Sequence, residues 1–153
     1  MLSRENVLLH FCSSAFVVNK NHTKMLVVNH NIFGGWIYPG GHSDGNEDFL
    51  YIATKELLEE TGIRAKLLYP EFFSIQSLPI AGHLKNGKYV SGHIHMDVCF
   101  LFEADETDET KIKPDENKAI KWIDFEDADN ESIVPFIRPI HRKLIEKLKI
   151  FEK

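Results

Sequence analysis

Three glutamates, Glu56, Glu59 and Glu60, occupy positions i, i+3 and i+4 of one short stretch. On a helix of ~3.6 residues per turn, that spacing stacks them along a single stripe. Carboxylates so placed repel one another, and a solvated surface helix gains nothing from the arrangement. A hard divalent cation reverses the sign, because Mg²⁺ is held by a few carboxylates together with water and phosphate oxygens. The spacing therefore points to a site for Mg²⁺, with Mn²⁺ as a substitute.

The elements around the stripe have to present it to something. Just upstream, Trp36-Ile37-Tyr38-Pro39-Gly40-Gly41-His42 runs from a strand-like segment into a Pro-Gly-Gly turn. The order implied is strand, tight turn, loop and acidic helix, with the carboxylates facing the turn. Asn46 is the expected N-cap of a helix starting near Glu47, with Glu47 and Asp48 in its first turn. Leu50, Ala53, Leu57 and Leu58 supply its apolar cover, and Gly62 ends it in the left-handed position.

Elsewhere, Val7–Asn19 and Lys24–Asn29 read as a hairpin about the turn residues Asn19-Lys20-Asn21-His22, with a bend near Ser13-Ser14. Phe33 and Trp36 are candidates to stack on a base, although packing is the commoner fate of such rings. Pro79–Gly92 reads as a loop with Lys85-Asn86-Gly87-Lys88 at its tip. In the strand His93–Ala104, Ile94, Met96, Val98, Phe100 and Phe102 form the core face. His93, His95 and Asp97 start the other face, turned to substrate or to solvent. A zinc site is a third reading of His93-x-His95, but no later His or Cys cluster completes a coordination sphere. Glu103–Glu116 is an acidic, solvated run. Ile137, Ile140, Leu144, Leu148 and Phe151 recur at helical spacing and mark an amphipathic C-terminal helix.

The stretch Gly41–Ile63 resembles the Nudix box, Gly-x5-Glu-x7-Arg-Glu-U-x-Glu-Glu-x-Gly-U with U aliphatic. Gly41, Glu47, Glu56, Leu57, Glu59, Glu60, Gly62 and Ile63 all fall in register, and Lys55 stands where the family usually has Arg. Lys keeps the charge but lacks the planar fork that grips two carboxylate oxygens at once. The resemblance implies one Nudix hydrolase domain over residues 1–153, an α/β/α sandwich with a mixed β-sheet. It also implies metal-dependent cleavage of a phosphoanhydride in a nucleoside diphosphate-linked or nucleoside triphosphate-type substrate. Glu56, Glu59 and Glu60 would hold the metal, aided by the Gly40 carbonyl, and Lys55 would orient the carboxylates. Glu116, shortly before the Trp122 segment, matches a place from which the family often takes a further ligand or base. A Nudix-like nucleotide-binding or regulatory module without turnover is the alternative, but such modules tend to lose box glutamates and none is lost here.

Composition narrows the partners. A chain of 153 residues is long enough to bury its own core. Its net charge of −5 argues against general affinity for nucleic acid, which needs a basic surface. The expected partner is a small nucleotide-type molecule, and nothing in the chain opposes a homodimer. Two cysteines in apolar runs read as buried thiols. No secretory pattern or membrane-length apolar run is visible, so a cytoplasmic, membrane-free protein is expected.

Overall fold

A computed structural model describes residues 2–153. In chain order its elements are β1 (Leu9–Val18), β2 (Lys24–His30), β3 (Gly35–Ile37), β4 (Gly40–His42), α1 (Phe49–Thr61), β5 (Lys66–Leu67), β6 (Ser74–Ile80), β7 (His83–Lys85), β8 (Lys88–Val90), β9 (His93–Glu103), β10 (Asn117–Asp124) and α2 (Arg138–Phe151). Short 3₁₀ turns at Phe125–Asp127 and Pro135–Ile137 lead towards α2.

β1 is the organising strand. It lies parallel to β9 from the pair Leu9 and Ile94 to the pair Val18 and Glu103. β2 meets it antiparallel at the hairpin end, where Val18 faces Met25. Beyond that point the two strands take different partners. β4 pairs with Cys12–Ser14 of β1, whereas β3 pairs with Val28–His30 of β2. The chain crosses between them through Tyr38 and Pro39, so the Pro-Gly-Gly turn lies where the sheet divides. β10 flanks β2, and β5 and β6 flank β9. Pro79 falls in β6, whose one ladder partner is β9, and an edge is where a strand tolerates a residue without an N–H.

Alternation along β1 sends side chains into two cores. Ala15 and Val17 join Val98, Phe100 and Phe102 beneath Ala53 and Leu57 of α1. Phe16 and Val18 join Cys99 and Leu101 beneath Leu144, Ile145 and Leu148 of α2. The result is the expected α/β/α sandwich around a mixed sheet. α2 is amphipathic as its sequence implies, and burial of its apolar stripe holds it to the sheet.

Two expectations are corrected. The first helix begins at Phe49 rather than near Glu47, and its N-cap is Asp48, whose Oδ1 accepts the Tyr51 N–H at 3.0 Å. Asn46 instead accepts the Asp48 N–H at 2.9 Å, making the turn that leads in. Asp48 wins because it immediately precedes the apolar run and adds a full charge to the helix N-terminus. The second correction concerns β9. Of the two readings of its His93–His95–Asp97 face, solvent fails and the cleft holds, since all three line the cleft described below and Asp97 and Cys99 are buried. Ile94, assigned to the core face, is 40% exposed at the strand's open end.

Candidate active site

A cleft of about 730 Å³ opens where β1 and β2 part, a size ordinary for a small-molecule site. Gly40, Gly41, Glu56, Glu60 and Glu116 line it on one side. One carboxylate oxygen from each of Glu56, Glu60 and Glu116 lies within 4.8 Å of the other two. α1 supplies two of these residues. Its last turn is tied to the start of β10 by Asn117, whose Nδ2 donates to the Glu60 backbone carbonyl at 3.0 Å. That bond, together with the Lys111 N–H to Thr61 carbonyl bond of 2.8 Å, seats the end of the acidic run against the helix and brings Glu116 beside Glu60.

Glu60 is almost wholly buried, and its Oε1 accepts the Gly40 N–H at 3.1 Å. Burial, and then the charges of Glu116 and Glu56, push its carboxyl well above the usual carboxylate range. Burial followed by Glu116 and Glu59 pushes half-buried Glu56 up to about 7. Burial and mutual repulsion outweigh the nearby ammonium of Lys113 at both carboxyls. Glu59 lies outside the trio. It is 3.6 Å from Lys113 and 3.9 Å from Lys55, and Lys113 also reaches Glu116 at 3.0 Å. Lys55 is about half exposed and contacts Glu59 rather than the trio. Lys113 was not foreseen, although its i, i+3 spacing to Glu116 is a visible signal.

Gly41 has a steric reason. A Cβ there would run into the Glu56 carboxyl group. Gly41→Ala is expected to swing this side chain aside at little cost to folding, because a side-chain end can move where backbone cannot. Turnover should then fall at least about tenfold, equivalent to ~1.4 kcal/mol, while the melting temperature stays within a few degrees. Parallel kinetics and thermal melts check this.

The remaining candidates separate. Phe33 lines the cleft, stacked on His30 with ring centroids 4.4 Å apart and edge-on to Phe136. Trp36 is placed away from the cleft wall, packed on the α2-side core with the Lys121 ammonium 4.2 Å from its ring centroid. His93 and His95 line the cleft, joined by His10 from β1 and His42 from β4, which sequence reading did not connect to them. Burial drives His95 down to about 2 and His42 to about 3, so both rings are neutral at physiological pH. Beneath them, the Asp97 Oδ2 accepts from Ser14 Oγ at 2.7 Å, Tyr38 Oη at 2.8 Å and Gln76 Nε2 at 2.6 Å.

The NUDIX domain model matches residues 9–148. The chain belongs to the Nudix family. Among curated relatives, the RNA pyrophosphohydrolase of Bartonella henselae is 33% identical over 128 residues, covering 77% of this chain and 72% of its own length. That of Sphingopyxis alaskensis is 30% identical over 118 residues, covering 73% and 74%. Among solved structures, a NUDIX-family hydrolase from Clostridium perfringens superposes with a TM-score of 0.62 at 24% identity, covering 93% of this chain and 97% of its own. The Ap4A hydrolase of C. elegans, as a binary complex, superposes with 0.62 at 19%, covering 92% and 96%. This Nudix chain is accordingly a hydrolase of the pyrophosphohydrolase type, and its fold is the family's.

Proposed function

We propose that this Nudix hydrolase uses Mg²⁺, or Mn²⁺ in its place, to cleave a phosphoanhydride in a nucleotide-type substrate, acting in the cytoplasm. The observation that carries the reading is the meeting of Glu56, Glu60 and Glu116 within 4.8 Å of one another in a cleft. Their donor set is all hard oxygen, which suits Mg²⁺ and disfavours softer metals. The buried, strongly raised Glu60 carboxyl is one that a bound cation would return to its charged form.

Glu56, Glu60 and Glu116 would hold the metal, with Glu59 and the Gly40 carbonyl at its margin. Bound there, Mg²⁺ supplies charge neutralisation for the phosphate oxygens and lowers the pKa of attached water. The chain's own residues supply the rest. One carboxylate of the trio accepts the proton of the attacking water. Lys113 and Lys55 hold Glu59 back and moderate the repulsion among the acids. Phe33 forms the wall on which a base stacks. A purely regulatory module would not keep every box glutamate.

Removal of divalent metal is expected to abolish turnover, with Mg²⁺ and then Mn²⁺ restoring it. Full activity in the chelated enzyme would overturn the reading. The substrate panel should include nucleoside triphosphates, dinucleoside polyphosphates and a 5′-triphosphorylated RNA oligomer. The RNA 5′ end is a second reading, favoured by the names of the curated relatives. The net charge of −5 favours the small nucleotides.

A further inference from the structure

The imidazoles in the same cleft are unaccounted for by the carboxylate chemistry. His10, His93 and His95 each bring one ring nitrogen to within 4.8 Å of the other two. They come from adjacent strands: in the parallel β1–β9 ladder, His10 stands directly opposite His95. His93 Nε2 lies 2.9 Å from His95 Nε2, and His42 Nε2 is 3.3 Å from the same atom. Bonds of about 2.0–2.1 Å at tetrahedral angles place donor atoms roughly 3.3 Å apart, so the spacing suits one shared zinc-sized ion.

The outer nitrogens of His10 and His93 are held as those of metal-bound histidines usually are. His10 Nδ1 is 3.1 Å from the Asn6 carbonyl, and His93 Nδ1 is 2.8 Å from the Ser91 carbonyl. Each carbonyl takes an Nδ1 proton and leaves the Nε2 lone pair free, the usual outer support of a ligating imidazole. His10 is itself only 4% exposed, yet its Nε2 is buried with no partner. With the His10 and His93 protons held on Nδ1, a single proton on His95 Nε2 reaches His93 and leaves His10 Nε2 unserved, so the metal-free cluster is short of donors. A cation accepts the lone pairs of His10, His93 and His95 at once.

We propose that His10, His93 and His95 form a second metal centre, selective for Zn²⁺ or a similar borderline ion and separate from the carboxylate trio. Nitrogen donors distinguish it from the oxygen-only Glu56–Glu60–Glu116 set, so the two halves of the cleft sort metals by donor chemistry. Three imidazoles leave a fourth position open towards the cleft, where a phosphate or water oxygen would bind. His42 stands beside the centre against His95, in the strand that carries Gly40 and Gly41. A metal there would fix β1 to the start of β9.

The test is metal binding by the full chain, stripped with chelator and titrated with Zn²⁺ alone against a chromophoric competitor. Co²⁺ substitution gives an independent visible spectrum of a four-coordinate nitrogen site. One tight equivalent of Zn²⁺ is expected, retained in Glu60→Gln and weakened ~100-fold or more in both His93→Gln and His10→Gln. Half-buried His93 tolerates substitution more readily than His10, so a folding defect in one variant leaves the other readable. A chain with no tight Zn²⁺ equivalent would overturn the proposal. So would an equivalent that Glu60→Gln removes, or one that survives in whichever histidine variant folds. Turnover plays no part in the readout, so this site stands or falls apart from the hydrolase reading.

Discussion

Glu60→Gln is expected to lower metal-dependent turnover by on the order of 10³-fold or more, while making the metal-free protein more stable. The first effect follows from removing one of three converging ligands, since metal clamping supplies several kcal/mol of transition-state stabilisation. The second follows from burial. The Glu60 carboxyl is raised well above its ordinary range, so ionising it in the folded, chelated protein opposes folding. Gln keeps the oxygen that accepts the Gly40 N–H and removes the charge. The sign with pH is fixed by linkage. A carboxyl whose folded pKa is raised binds its proton more tightly in the native state, so its contribution to stability falls as pH rises above the unfolded value. The gain from Glu60→Gln should therefore be present at pH 8 and vanish towards pH 4.5. Chelated melts of both proteins across that range measure the difference and cancel titrations they share. Glu59→Gln provides the contrast: it too should reduce turnover, but it forfeits pairs to Lys55 and Lys113 on a partly exposed side chain and should bring no gain in stability. A Glu60→Gln protein that is destabilised yet fully active would mean that Glu60 is structural.

Asp97→Ala should be the most damaging single change to the fold outside the apolar core. Ser14, Tyr38 and Gln76 all aim their donors at one fully buried carboxylate oxygen. Truncation strands three buried polar groups at once and leaves a void between them. Breaking a buried charged network of this kind costs about 3–5 kcal/mol. For a chain of this length that corresponds to a fall in melting temperature of roughly 10–15 °C. Asp97→Asn retains an acceptor but turns an NH₂ towards at least one of the donors, so an intermediate loss is expected. Melting temperatures of the two variants, with Tyr38→Phe as a milder control, check the ordering. Equal stability of Asp97→Ala and the unmodified protein would show that water replaces the carboxylate without loss.

The acidic helix and its glycine turn were legible because their signals are local. The close approach of Gly41 to Glu56 joins β4 to α1 and shows only in the fold, whereas spacing within α1 and the left-handed Gly62 at φ 75° are both consequences of residues near one another in sequence. The amphipathic pattern of α2 was legible for the same reason. What escaped depends on strands distant in sequence. His93-x-His95 is visible in the sequence, but a zinc site needs further donors, and no His or Cys cluster follows it in the chain. They lie earlier, in His10 and His42, and only the β1–β9 and β1–β4 pairings bring them alongside. The position of the helix start was missed because Asn46 and Asp48 are both good caps, and which one serves depends on where the loop releases the chain. Of the two fates open to Trp36, base stacking or packing, the fold takes the second, because β3 turns the ring to the Lys121 side.

The parallel pairing of β1 with β9 also governs how the protein comes to exist. Each rung of that ladder joins residues 85 apart, as in Leu9 with Ile94. Closing so long a loop has to precede the contacts that reward it, and non-local parallel pairing is slow for that reason. During synthesis, β1 precedes β9 and has only β2, β4 and α1 to lean on until β9 has left the ribosome. Its run Ala15-Phe16-Val17-Val18, entirely inaccessible to water in the finished sheet, spends that interval without its main partner. The cleft does not exist in the nascent chain, because Glu116 lies beyond β9. Metal therefore has no assembled carboxylate trio to bind until nearly the whole chain has been made, and it can stabilise the product of folding without guiding its early steps.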